Sequence, residues 1–147
     1  MGTRHFVGVI ADGKYKIAQY GQFDGYIEGQ GATVLEFLSN MMKSEKNIEI
    51  FKNKLNNCRF INRDEMRQLY VNAGDKPNNN SGWITGEVAK KFKEMYPSMD
   101  RSTGAEILNI VYESSGEVLL WNEEAFLEDA LFCEYTYIIN LDRMTLH

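Results

Sequence analysis

The stretch GTRHFVGVIADGKYKIAQYGQFDGYIEGQG, residues 2–31, decides how this chain is read. Residues 4–11 alternate as a strand, with Phe6, Gly8 and Ile10 on one face and His5, Val7 and Val9 on the other. Both faces are largely apolar, which predicts a central strand. Asp12-Gly13 is a type I′ hairpin signal, because that turn needs positive φ at both central residues. Residues 15–20 return as a second strand, with Tyr15, Ile17 and Gln19 on one face and Lys16, Ala18 and Tyr20 on the other. A polar loop follows that is unusually rich in amides and aromatics: Gln19, Tyr20, Gln22, Phe23, Asp24, Tyr26, Glu28 and Gln30, with glycine at 21, 25, 29 and 31. A loop that only connects does not need these groups.

Working outward, Ala32 to Lys43 reads as a helix with Val34, Leu35, Leu38, Met41 and Met42 as its apolar stripe. Residues 46–57 read as a more polar helix facing inward through Ile48, Phe51 and Leu55. Residues 58–61 are a connector. Asn62 and Glu65 predict a capped helix to about Asn72. Residues 74–82, GDKPNNNSG, are a loop. A helix is expected at 86–96, with Val88, Phe92 and Met95 or Tyr96 inward, ended by Pro97. Thr103 and Glu106 fit a capping box opening a helix to about Glu113, through Ile107, Leu108 and Val111. Residues 117–121 are a short strand or extended piece, and 122–133 are ambiguous, with room for one helical turn. Residues 134–141 alternate as a strand, Asp142 to Met144 form a turn, and 145–147 start a last strand. The expected fold class is α+β: one domain, an antiparallel sheet of about four to five strands with helices packed on it.

Composition narrows the function. At 147 residues the chain is long enough for a real core. A net charge of −5 argues against general nucleic-acid or anionic-membrane binding, which uses basic footprints. Cys58 and Cys133, with His5 and His147, have no zinc-like spacing, so no metal or cofactor is expected and both thiols read as free in a reducing compartment. No signal peptide is recognisable, and no apolar run approaches the roughly 18–20 residues that span a bilayer. A cytoplasmic protein is expected.

Five constellations could carry chemistry. In Gln19, Tyr20, Gln22, Phe23, Asp24 and Tyr26, amides can read a base or amide edge, rings can stack, and Asp24 can accept from a hydroxyl or ring N–H. The alternative is that these groups satisfy one another. Gly29 to Thr33, with Gln30, opens the first helix, where an anion could meet free N–H groups; the Gly-Lys-Ser/Thr ending of a P-loop is absent, and glycines that only permit a tight loop are the favoured alternative. Arg101 to Gly104, with Thr103, is a second such start, which an ordinary cap explains equally well. Arg4, His5, Lys14 and Lys16 could bring positive charge to a pocket, or could be a packed histidine and solvated hairpin residues. Glu134 and Asp142 bracket the late strand; paired carboxylates can do acid–base work, and strand-end residues need no such role.

These residues carry a resemblance. The chain resembles a widespread family of small phage, bacterial and fungal proteins that begin Met-Gly-Thr-Arg and carry Ala-Gln-Tyr-Gly-Gln-aromatic-Asp-Gly-Tyr, then Gly-Gln-Gly. Here these are Met1 to Arg4, Ala18 to Tyr26 and Gly29 to Gly31. Arg101 to Leu108 and Phe132 to Asp142 are further family-like pieces, so the likeness spans most of the chain. Phe23 stands where the pattern often has Trp, and Ile27 where it often has Pro. The resemblance implies a shared site in the first segment and no particular chemistry. The first hairpin also resembles that of N-terminal-nucleophile hydrolases of the proteasome β-subunit type, which use an N-terminal Thr, Ser or Cys. Removing Met1 leaves Gly2, so Thr3 would serve only after one further cut.

The leading expectation is therefore binding without catalysis: a small polar ligand, anionic or nucleotide-like, held by Arg4, His5, Gln19, Tyr20, Gln22, Phe23, Asp24, Tyr26, Gln30, Arg101 and Thr103. If the source is a phage, as the family's occurrence there allows, such a protein could act as a sponge that sequesters a host nucleotide immune signal. The alternatives are an N-terminal-nucleophile amidohydrolase and a protein-interaction module without a small ligand. A self-paired sheet edge or aromatic face would make the protein a homo-oligomer.

Overall fold

A computed structural model describes residues 3–79, 81, 83–100, 102–128 and 133–147. The first hairpin forms as its pattern demands. Strand β1 (His5–Ala11) pairs antiparallel with β2 (Lys14–Gly21). The turn between them has φ of 57° at Asp12 and 76° at Gly13, the left-handed pair a type I′ turn requires. The register shifts between Val9 and Ile10, so Val9 faces Ile17 while Ile10 faces Tyr15. Lys16 is the extra residue of a β-bulge. The bulge carries Tyr15 onto the face of Phe6, whose ring it meets edge-on at 5.8 Å, and not onto the Ile17 face that strict alternation predicts.

The chain then makes a single π-helical turn (Ile27–Gly31) that runs directly into α1 (Ala32–Met41). Two helices follow before and after a short strand: α2 (Glu45–Asn56), β3 (Cys58–Phe60) and α3 (Arg63–Asn72). Asn62 and Glu65 form the full capping box of α3. Beyond the Asn-rich loop come α4 (Gly86–Met95), capped by Thr85, and α5 (Ile107–Glu113). Strand β4 (Val118–Leu120), a 3-10 turn at Glu124–Glu128, β5 (Tyr135–Asn140) and β6 (Thr145–Leu146) complete the order.

The main sheet runs β2-β1-β5-β6 and is mixed. β5 lies parallel to β1, with His5, Val7 and Val9 opposite Tyr135, Tyr137 and Ile139. This corrects the antiparallel expectation. All five helices separate β1 from β5, and a connection of that length can carry the chain back to enter the sheet in either direction. A separate parallel pair, β3-β4, forms a second small sheet.

One sheet face carries Val7, Val9, Ile17 and Ile139, buried against Val34 and Phe37 of α1, Phe51 and Leu55 of α2, and Ile107, Leu108 and Val111 of α5. The α1 stripe differs from the expected one. Phe37 points inward, whereas Leu35 and Met42 are exposed. A second cluster, of Ile61, Leu69, Ala73, Val88, Phe92 and Met99, belongs to the α3–α4 pair. Two apolar clusters with β2 at a sheet edge leave a seam between them, and the seam is where the candidate site lies.

The two hairpin tips are tied together. Asp142 accepts from the backbone N–H of Asp12 (2.9 Å) and of Gly13 (2.8 Å), and these bonds hold its carboxyl below the usual carboxylate range. A lowered folded pKa gives stability that is fully present above the unfolded value, about 3.9, and is lost as pH falls from there through the folded value. Asp142→Asn, with one acceptor oxygen for two donors, is therefore expected to lower the urea midpoint at pH 7. The deficit should shrink when both proteins are compared below pH 3. A deficit that stays constant with pH would show that the carboxylate charge plays no part.

Candidate functional site

A groove runs beside the outer edge of β2, between that strand and the α3–α4 pair. Its central hollow, about 230 Å³, is bounded by Gln19 and Tyr20 of β2, Tyr70 of α3, Asp100, and Trp121 and Glu123 after β4. The β2 edge is closed here by its neighbour, since the Glu123 N–H donates to the Ala18 carbonyl (3.0 Å). A second hollow, about 410 Å³, continues past Asp100 and Ser102 to Gln22, Phe23, and Lys90 and Lys93 of α4. A third, about 280 Å³, continues past Met66 and Tyr70 to Arg63, Arg67, Asn79 and Trp83. Adjacent hollows share lining residues: Asp100 joins the first two, and Met66 and Tyr70 join the first and third.

Each wall follows from local chemistry. Gln19 is almost buried, yet its amide is only loosely tied, with Nε2 at 3.5 Å from the Asp100 carbonyl. Tyr20 meets Phe126 edge-on at 4.6 Å, which sets the plane of its ring. The Tyr70 ring is stacked on Phe92 at 4.2 Å, so the second apolar cluster holds it against the groove. The Asp100 carboxylate accepts from the Ser102 N–H (2.9 Å) and from the Ser102 hydroxyl. Among the described residues neither Lys90 nor Lys93 is in an ion pair, so two solvated cations flank the second hollow. Arg67 is held differently: it pairs with Asp75 at 2.8 Å and donates to the Lys76 carbonyl. The Arg67 bond holds the Asp75 carboxyl below its usual value.

Four of the expected ligand residues, Gln19, Tyr20, Gln22 and Phe23, line this groove. The other described ones lie elsewhere, and most of the loop folds onto its own sheet. His5 is buried under Gly21 and Gly25, and among the described residues neither ring nitrogen has a partner in full hydrogen-bond geometry, the Thr3 carbonyl lying nearby. Asp24 takes φ of 57°, and its carbonyl accepts from the Gln30 N–H (2.7 Å). Tyr26 packs edge-on against Tyr135. The Gln30 side chain accepts from the Ala105 N–H (2.8 Å) and donates to the Phe23 carbonyl (3.4 Å). The Arg4 carbonyl accepts from the N–H groups of Glu134 and Tyr135, beside the sheet. Arg101 lies outside the described residues.

The two helix starts are built differently from what the sequence predicts. The π-helical turn feeds α1 directly, and the Gly31 N–H donates to the Tyr26 carbonyl, so the first amides of α1 are already spent. Thr103 makes no capping box with Glu106, because its hydroxyl donates to the Pro97 carbonyl (2.5 Å) and its backbone is already helical. Glu134 and Asp142 flank a six-residue strand, so they stand about 20 Å apart and cannot share a proton.

Sequence reading missed Tyr70, Asp100, Trp121, Lys90 and Lys93. The sequence offered one pointer to this region, Trp83 directly after the Asn-rich loop, and the structure leaves that residue 82% exposed. An indole in that setting invites a question about what it meets.

Other features are less suited to a ligand with polar groups. A hollow of about 150 Å³ between α1, α2 and β6 is lined by Phe37, Met41, Phe51, Met144 and similar residues, with only Asn140 and Thr145 to orient anything. Burial pushes the Cys58 thiol up to about 11, which keeps it protonated and a poor nucleophile. Among the described residues no three His, Cys, Asp or Glu converge as metal ligands, and no helix is long and apolar enough to cross a membrane.

Searches with this chain matched no family model, no curated protein and no solved structure.

Proposed function

We propose that the groove binds a small anionic, nucleotide-like ligand without catalysing its conversion. The observation that carries this reading is the central hollow. There a nearly buried, loosely tied amide, Gln19, stands among three rings, Tyr20, Tyr70 and Trp121. Rings grip a planar base through its faces, and an amide reads its edge by donating and accepting at once. Lys90 and Lys93 next door supply the charge a phosphate needs, in a protein that is acidic elsewhere. The central hollow alone is small, but with the adjoining one it falls within the roughly 300–1,000 Å³ common for ligand sites. A family that occurs in phages, as the sequence likeness suggests, could use such binding to sequester a nucleotide signal.

Titration calorimetry with AMP, GMP, CMP and UMP tests the reading. At least one is expected to bind and to be recovered intact. Tyr20→Ala should weaken it about ten-fold or more, the usual worth of a base–aromatic contact. The double substitution Lys90→Ala and Lys93→Ala should weaken it and flatten its salt dependence. No heat with any of the four, from protein folded by circular dichroism, would end the proposal.

A further inference from the structure

The third hollow has features that a single nucleotide in the central hollow does not explain. Trp83 is 82% exposed, yet both of its backbone polar groups are tied to side chains of Asn79 and Ser81. The Asn79 amide donates to the Trp83 carbonyl (2.7 Å) and to Asp75, and the Ser81 hydroxyl accepts from the Trp83 N–H (3.2 Å). Asp75 is in turn clamped by Arg67. These polar side chains fix the Trp83 backbone, and its exposed indole lines a hollow that adjoins the central one through Met66 and Tyr70. At the same hollow Arg63, at the start of α3, is in no ion pair among the described residues. Exposing an indole forgoes the burial that makes tryptophan useful in a core.

We infer that the ligand is a dinucleotide: one base lies in the central hollow against Tyr20 and Trp121, the second stacks on Trp83, and Arg63 faces the linking phosphate. This rests on the proposed function and adds a second base to it. Charge and shape agree, because the groove is cationic at Arg63 and at Lys90 and Lys93, with aromatic surface between. Planar faces accept any base, so the two stacking positions set the number of bases before they set their identity.

The chain has two tryptophans, one in each hollow, so the protein carries its own reporters. Trp83→Phe leaves Trp121 as the only indole, and Trp121→Phe leaves Trp83. The probes are the four mononucleotides, the four 5′-phosphorylated homodinucleotides, NAD⁺, and an eight-nucleotide single strand, with calorimetry on the unsubstituted protein. A mononucleotide is expected to quench Trp121 alone. A dinucleotide should quench both indoles and bind about ten-fold or more tightly than its mononucleotide, as an added stacked base implies. In Trp83→Ala, which exposes little new surface, that advantage should fall below three-fold. Mononucleotide binding with no dinucleotide advantage, or with Trp83 emission unmoved by dinucleotides, overturns the inference and leaves the proposed function standing. Failure of every probe removes both. An eight-nucleotide strand that binds ten-fold more tightly than any dinucleotide overturns the inference in favour of a single-strand groove.

Discussion

Phe51→Ala is expected to cost about 3–5 kcal/mol, the range for deleting a fully buried aromatic side chain. Phe51 is 1% exposed. Its ring meets Phe37 at 4.9 Å and Tyr112 at 6.5 Å, joining α2 to α1 and α5 over the sheet. Removing it leaves a void that three helices must collapse to fill, and interiors relax only partly. A domain of this size has roughly 5–15 kcal/mol in total, so the loss is a large fraction of it. The melting temperature should fall by about 10 °C or more. Phe23→Ala is the matched control. Phe23 is 55% exposed at the groove, and its loss should stay within about 0.5 kcal/mol of the unsubstituted protein. Urea unfolding of the two variants decides the point. Near-equal midpoints would mean that α2 does not pack as described.

Gly21→Ala should be the second severe change, although it adds one carbon. A Cβ at Gly21 would stand 2.0 Å from His5 Cε1 and 2.2 Å from His5 Nε2. The imidazole is rigid, 1% exposed, and faces Gly25 with its Cβ on another side, so it has little room to retreat. Overpacking of this kind typically costs about 1–3 kcal/mol. The double variant His5→Ala, Gly21→Ala should recover most of the loss that Gly21→Ala adds, giving a coupling well above the roughly 0.5 kcal/mol seen between independent sites. Additive single effects would show that the ring does not lie on Gly21.

The same ring gives a pH signature. Burial lowers the His5 pKa, opposed by the nearby Thr3 carbonyl and by the charge of Asp24. The unfolded chain takes up a proton near pH 6.5 that the folded chain resists. Stability from this group is therefore intact above about pH 6.5 and declines as pH falls from there through the lowered folded value. In His5→Ala the slope of stability between pH 7 and pH 5 should flatten.

His5 shows how far the candidate site was legible. An alternating strand announces which residues share a face, but not what covers that face. Here the Gly-rich loop does, so most of its polar groups satisfy the loop itself, while Gln19, Tyr20, Gln22 and Phe23 face the groove. Their partners arrive from far along the chain, Tyr70 on α3, Lys90 and Lys93 on α4, and Trp121 after β4. No spacing near residue 20 points to any of them.

By itself the sequence determined the features whose hydrogen bonds and periodicity close within a few residues. These are the Asp12-Gly13 hairpin, the Asn62–Glu65 capping box, the inward faces of α2 and α5, and the alternation of β5. Only the tertiary structure decided the parallel entry of β5 beside β1, the bulge at Lys16 that turns Tyr15 over, the Thr103 bond to Pro97 that replaces a cap, and the groove. Each of these is settled by contact between segments distant in sequence or by a choice among competing acceptors. Local pattern constrains a residue's own backbone and leaves its distant neighbours open.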